Sequence, residues 1–353
     1  MYTASSMPES DSSRIIALGN GVWLDEIRNE GAAPIKDVPG GSVTFSTLGA
    51  RLFTPKNPEC VSMVFNAGGD FPGAVVDMFK SWSITLTIHH QSDKPSSRGL
   101  VFYERANGNR KGFQRLTEPL PVEVTALQGT KMLSSRAFTF FGTPEYIESQ
   151  TSHIEELRTT SRRPALDPLI IWEPHAKSCR PDTLESHLAA CHRVDVFSPN
   201  HEELASFFER NTNPGFDRLL VEKQAREFVY SGIGLQGKGC IIVRAAGHGC
   251  LVLSNQHGVV WLPSYYSSTS HMVVDPTGAG NAFLGAFAIG LQETGSYIEA
   301  AKYGQVAASF VIEQVGLPTK FGHGDREVWN NCNVRERLAE YQTRSLEAYI
   351  PTT

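Results

Sequence analysis

Asn281 follows Gly278, Ala279 and Gly280 in the stretch VVDPTGAGNAFLGAF, which runs from Val273 to Phe287. The pattern predicts the end of a strand, a glycine turn and a helix beginning near Asn281. Small or absent side chains let the backbone N–H groups of the turn converge on an anion at the helix N-terminus, where the helix dipole favours negative charge. That is the chemistry of a phosphate or oxyanion site. The residue just after such a turn is where a proton-accepting carboxylate is expected, and an asparagine amide cannot accept that proton. Taken alone, the turn reads equally well as a tight connection between a strand and a helix.

The other candidate groups are less specific. Asn200 and Glu203 in SPNHEEL form N-x-x-E, which also suits an ordinary helix start with acidic residues in its first turn. Glu173 in WEPHAKS ends a strand, and by that position alone it is expected to face the phosphates. His89, His90, His153, His192, His201, His248 and His257 show no zinc spacing and read as surface or loop residues. Cys60, Cys179, Cys191, Cys240, Cys250 and Cys332 contain no C-x-x-C pair and read as reduced thiols of a cytosolic or nuclear protein.

These residues need a framework to position them. With 353 residues, 41 % hydrophobic and 20 % charged, the chain can bury the core of one large domain or two unequal ones. A net charge of −5 and no long basic run exclude a nucleic-acid surface. No apolar run approaches the ~20 residues of a membrane helix, and the polar, serine-rich opening lacks the apolar core of a signal peptide. Residues 1–13 are expected to be a disordered lead-in, and the cytoplasm is the default location.

From residue 14 the pattern is a buried strand, a glycine turn and a second apolar segment. A helix is predicted behind Gly40 and Gly41, because Phe45, Leu48, Leu52 and Phe53 fall at helical spacing. Another strand, glycine turn and helix fill Ser62–Phe79. Three strands then follow without helices between them, roughly Ser83–His90, Gly99–Arg105 and Phe113–Thr117, joined in part by the turn signal ANGNRKG. They are expected to form a small separate sheet, a lid at about 83–117. After residue 120, strands alternate with helices, which predicts βαβ units, a mostly parallel central sheet with helices on both faces, and ligands at the strands' carboxyl ends. Residues 14–320 are expected to be this domain and 321–353 a tail whose helix is DREVWNNCNVRERLAEYQTRSLEAY.

DPTGAGNAFLGAF resembles the C-terminal signature of the PfkB-type carbohydrate kinases, the ribokinase-like family, whose usual form D-T-x-G-A-G-D ends in the aspartate that Asn281 replaces. Four further stretches are similar to family motifs and fall in family order: GNGVWLDEI, GGSVTFSTLGARL, SPNHEEL and VRAAGHGCLV. In the last of these Arg244 and Ala246 stand where the family has threonine and glycine. Within the family, LIIWEPHAKSC, VDVFSPNHEEL, GARLF and DPTGAGNAFLG look like the maintenance-of-killer proteins of yeasts and moulds, which share the asparagine.

The resemblance implies a ribokinase-like α/β fold with a β-sheet lid and an ATP- and magnesium-dependent transfer of phosphate to a small molecule. It places the anion hole at Gly278, Ala279 and Gly280, with Asn281 at the general-base position. Substrate contacts fall to Asp25, Gly40, Gly41 and Phe45, and nucleotide contacts to Arg244, Gly249, Thr277 and Gln305. Asn200 and Glu203 are implied for magnesium and phosphate, and Asp275 for a monovalent-cation (K+) loop. No nucleic acid or membrane partner is implied, and a homodimer through the lid is left open.

Phe45 stands where sugar kinases of the family carry a sugar-binding asparagine. A phenyl ring can stack on a ring or fill space but cannot satisfy a sugar hydroxyl; the bland reading is a core residue on an amphipathic helix. Loss of a general base costs roughly 10²–10⁴ in rate, and an already acidic acceptor needs none. Two functional readings follow. One is a kinase for a small hydroxylated or acidic metabolite; the alternative is a pseudokinase, a nucleotide- or metabolite-sensing interaction protein.

Overall fold

The computed structural model describes residues 13–29, 33–103, 110–160, 167–208, 215–267 and 269–347. In β1 (Ile15–Leu18) every side chain is buried. Ile15 and Ala17 enter one core, Ile16 and Leu18 another. This period of two without a polar face marks a strand covered on both sides. The chain then leaves the central sheet for an antiparallel pair, β2 (Trp23–Asn29) and β3 (Ile35–Gly40). It returns through α1 (Ser42–Leu52) to a βαβ unit of β4 (Val61–Gly68), α2 (Gly73–Ser81) and β5 (Thr85–Gln91). An antiparallel pair, β6 (Arg98–Tyr103) and β7 (Arg110–Arg115), follows.

The regular alternation begins with β8 (Ala137–Gly142) and α3 (Pro144–Thr160). It continues through β9 (Leu169–Pro174), α4 (Leu184–Cys191), β10 (Val196–Phe197), α5 (His201–Ala205) and α6 (Arg218–Ser231). An antiparallel trio, β11 (Cys240–Arg244), β12 (Cys250–Ser254) and β13 (Gly258–Leu262), precedes α7 (Ala279–Thr294) and α8 (Tyr297–Val311). The central sheet has the order β13-β12-β11-β10-β9-β8-β1-β4-β5, and all its pairings from β5 to β11 are parallel. Side chains of α1, α2, α7 and α8 share one core with the sheet; those of α3, α4 and α6 share the other.

Glycine sets how closely α1 approaches α7. A Cβ on Gly49 would strike the carbonyl of Ala282, and one on Gly285 that of Ser46. The two helices therefore meet backbone to backbone, which fixes the first turn of α7, and Asn281 with it, beside α1.

The lid differs from expectation in its strands. β5, read as a lid strand over Ser83–His90, pairs in parallel with β4 at the edge of the central sheet, because α2 makes a crossover of the chain between them. The lid sheet is instead β3-β2-β6-β7, with β2 and β6 parallel. Most of the turn ANGNRKG lies outside the described residues. Arg98, the first residue of β6, ties lid to body: its guanidinium pairs with Asp37 of β3 at 2.7 Å and with Asp70 beyond β4 at 2.9 Å.

Asp70 also accepts a hydrogen bond from Ser96 N–H at 2.6 Å. Burial opposes ionisation, but this bond and the Arg98 guanidinium outweigh it and hold the Asp70 carboxyl at about 2. A depressed carboxylate favours the folded state at pH values above its unfolded pKa of 3.8, an advantage lost as pH falls toward 2. NMR titration of the carboxyl should give a midpoint near 2 in the wild type, and a midpoint displaced toward 3.8 in Arg98→Ala.

The C-terminal stretch also departs from expectation. Its first residues form a two-stranded antiparallel sheet, β14 (Lys320–Phe321) and β15 (Val328–Trp329), and only Val334–Glu347 is helix, α9. Asn330 and Asn331 adopt left-handed φ of 48° and 59°, which breaks a helix, and the Asn333 side chain caps α9 by accepting from Arg335 and Glu336 N–H. The segment packs on the domain. Val334, Leu338 and Tyr341 are buried, and Arg51 of α1 makes a wholly buried bidentate pair with Glu327 at 2.8 and 2.5 Å. At the other end, Ser13, counted with the lead-in, is buried among Ser62 and Ser135. Among the described residues no helix is long and apolar enough to cross a membrane.

Candidate functional site

Strands β1, β8 and β9 end on one side of the sheet, where α1 and α7 begin. Between them lies a cleft lined by Ala17, Leu18, Ser42, Ser46, Thr139, Phe140, Phe141, Glu173, Asn281 and Leu284. Ser46 and Thr139 hydroxyls hydrogen-bond across it at 2.9 Å. Ser42 Oγ is buried and has no partner among the described residues.

Gly278 caps α7 with φ 80°, a left-handed conformation that glycine adopts without strain. A Cβ there would also collide with the Phe45 ring. Phe45 is thus a core residue beneath the turn and is not among the residues lining the cleft.

Around the first turn of α7 the structure assembles a polar group that no single motif announces. Arg244, the last residue of β11, lays its guanidinium against Gly280, so closely that a Cβ on Gly280 would strike Nη1. Nη1 pairs with Glu173 Oε1 at 3.0 Å, Nη2 approaches Glu203 Oε2 at 3.6 Å and donates to the Ser198 carbonyl at 2.9 Å. Arg244 Nε is buried without a partner among the described residues. Asn281 Nδ2 donates to Glu173 Oε2 at 2.5 Å.

This contact gives a physical reason for the asparagine. A carboxylate at position 281 would confront Glu173 with like charge, whereas the amide supplies the donor that a buried carboxylate requires.

Burial pushes the Glu173 carboxyl up, against the pull of Arg244 and of the Asn281 hydrogen bond. Burial likewise raises Glu203 to about 7, opposed by Arg244 and reinforced by the charge of Glu173. A cation at a helix N-terminus is unfavourable with respect to the dipole; here two carboxylates offset it.

Of the residues named from sequence, Glu173, Asn200, Glu203, Arg244, Gly280 and Asn281 come together. Asn200 and Glu203 form a reciprocal cap on α5: Asn200 Oδ1 accepts from Glu202 and Glu203 N–H, and Glu203 Oε2 accepts from Asn200 N–H at 2.7 Å. The hydrogen bond to Asn200 N–H and the approach of Arg244 both fall on Glu203 Oε2. No cluster of three or more His, Cys, Asp or Glu side chains able to hold a metal occurs among the described residues. Magnesium takes one or two carboxylates and otherwise phosphate and water, a demand that the single carboxylate of Glu203 meets.

Thr277 N–H donates to buried Asp275 at 2.9 Å in the loop before the turn. Gly249, with φ 90°, shapes the β11–β12 turn, and the side chain of Gln305 in α8 is buried. Asp25, Gly40 and Gly41 lie at the root of the lid. The Asp25 carboxylate packs against Gly40 and Gly99, where a Cβ would collide with it. Sequence reasoning missed Ser42, Ser46 and Thr139 as cleft residues and the pairing of Arg244 with Glu173; the signal for the latter was two unusual strand-end charges, in VRAAG and in WEP.

Comparisons with known proteins agree with this architecture. Residues 140–320 match the family model described as pfkB family carbohydrate kinase. The chain is 31 % identical over 340 residues to an uncharacterised protein of Schizosaccharomyces pombe, covering 90 % of each. It is 28 % identical over 363 residues to Protein MAK32 of Saccharomyces cerevisiae, covering 96 % of each. A putative ribokinase II from E. coli, solved in complex with ATP and Mg2+, superposes with a TM-score of 0.64 at 13 % identity over 94 % of this chain and 99 % of that one. The chain belongs to the pfkB family of carbohydrate kinases.

Proposed function

We propose that this protein is an ATP-dependent phosphotransferase acting on a small hydroxylated or acidic metabolite. The observation that carries this reading is the turn at Gly278–Gly280 with the Arg244 guanidinium laid against it, an anion cradle whose buried Nε has no partner among the described residues. Ala279 N–H donates to the Pro276 carbonyl, so the Gly278 and Gly280 amides, with the guanidinium beside them, would stabilise the charge that spreads over a transferring phosphoryl group. Glu203 would hold magnesium at the phosphates, and the metal would supply neutralisation of phosphate charge. Asp275 would anchor a monovalent cation loop. The acceptor would enter the cleft beneath the lid, where Ser42, Ser46 and Thr139 offer hydroxyls for orientation.

One observation favours a second reading. Glu173 and Glu203 both hold Arg244 against the cradle, and a guanidinium fixed there can serve nucleotide sensing without transfer. Calorimetric titration with ATP, with and without magnesium, tests the first requirement of both. Saturable, magnesium-dependent binding is expected; no heat at millimolar ATP would exclude a working phosphate site.

A further inference from the structure

We propose that Glu173 accepts the proton of an acceptor hydroxyl, the carboxylate of the reaction having moved from the start of α7 to the end of β9. The proposal rests on the phosphotransferase reading and narrows the acceptor to an alcohol. Three carboxylates lie near the α7 turn, and their geometry separates them. Glu203 turns Oε2 into its own helix cap. Asp275 is buried in the loop before the turn, where it accepts from Thr277 N–H. Glu173 is the one carboxylate among the described residues that line the cleft, which contain no histidine.

Its two oxygens are held separately, Oε1 by Arg244 and Oε2 by Asn281. An ionised carboxylate has about four lone-pair directions, so each oxygen keeps capacity for a further proton donor. Burial supports the role by raising the basicity of the group. Because Asn281 Nδ2 lies 2.5 Å from Glu173 Oε2, the accepting oxygen sits close to where a side-chain oxygen at position 281 would be. Asn281 is then a positioning residue.

The step balances with a nucleoside triphosphate as phosphoryl donor. The acceptor O–H proton passes to Glu173, and the acceptor oxygen bonds to the γ-phosphorus. The bond from that phosphorus to the bridging oxygen breaks, and nucleoside diphosphate leaves with the electron pair. Glu173 returns the proton to solvent before the next turnover.

The test measures ADP release from ATP and magnesium by the full chain, with water and with a panel of ribose, glycerol and myo-inositol as acceptors, alongside calorimetric ATP affinity and thermal melting. Glu173→Gln is expected to keep saturable, magnesium-dependent ATP binding, weakened because Arg244 loses one partner, and at saturating ATP to release ADP roughly 10²–10⁴-fold more slowly. Glu173→Asp should recover part of the rate. The exchange variant Glu173→Gln/Asn281→Asp keeps the charge count and side-chain lengths that can remake the hydrogen bond, so it carries the test should Glu173→Gln melt at assay temperature: it is expected to retain turnover, and a folded exchange variant that binds ATP without turnover would overturn the proposal.

Wild-type turnover in Glu173→Gln would overturn the proposal. So would a wild type that binds ATP and turns over with no member of the panel, water included. Failure of the wild type to bind ATP is a separate outcome, which sinks the phosphotransferase reading itself.

Discussion

Arg244→Met is expected to destabilise the protein by about 3–5 kcal/mol at pH 8, the usual cost of leaving buried ion-pair partners uncompensated. Glu173 and Glu203 both lose their cation, and both are already pushed up by burial while it is present. Glu203 sits at about 7 against 4.5 when unfolded. A carboxyl whose folded-state pKa lies above its unfolded value makes the folded state bind extra protons between the two, so stability falls as pH rises through that window. The deficit should therefore be small near pH 4.5 and distinctly larger at pH 8. Denaturant melts of wild type and variant at those two pH values check it, and adding Glu173→Gln to Arg244→Met should recover part of the loss. A pH-independent deficit would mean that the guanidinium acts by packing and not by charge.

Asn281→Asp restores the carboxylate usual in the family, yet it is expected to weaken the protein by about 2–4 kcal/mol at neutral pH, from a lost buried donor and a new like-charge contact. The two carboxyls would share one proton, as closely spaced carboxylates do. The sign again follows from a raised pKa: the penalty shrinks as pH falls toward 4.5 and grows above it. Melting curves across that range, combined with ADP release, separate this account from simple restoration of a missing base. A stable variant with a large gain in transfer would show that the site lacked a base and that Glu173 is a bystander. In the exchange variant the donor and acceptor merely trade places, so its melting temperature should lie above that of Asn281→Asp.

What the sequence revealed follows the range of the interactions involved. Buried runs such as Leu169–Pro174 and Cys240–Arg244 announce strands covered on both faces, and the central sheet assembled from them stands as expected. β5 was misread because Thr85–Gln91 lies at the sheet edge with mixed exposure, a pattern shared with lid strands; only the crossover through α2 distinguishes the two. The start of α9 was misplaced because two left-handed asparagines interrupt a stretch whose composition is helical.

In the site, the glycine turn and N-x-x-E were legible because each is a local motif. The second carries a bland role as well, since both of its side chains cap α5. The contact of Asn281 with Glu173 spans 108 residues of sequence, and that of Arg244 with Glu173 joins two strand ends. Neither has a periodicity or a spacing to reveal it. The departure at position 281 was visible in the sequence, and its physical reason was not.

Binding of a nucleotide's phosphates at the α7 turn, as proposed, is tested most directly by titrating isotopically labelled protein with ATP and magnesium while following the backbone amide resonances of Gly278, Ala279 and Gly280. Saturable shifts at these three amides, weakened when magnesium is withheld and when Arg244 is replaced by methionine, are the predicted result. Amides unmoved at millimolar ATP, or shifts confined to another part of the surface, would contradict it.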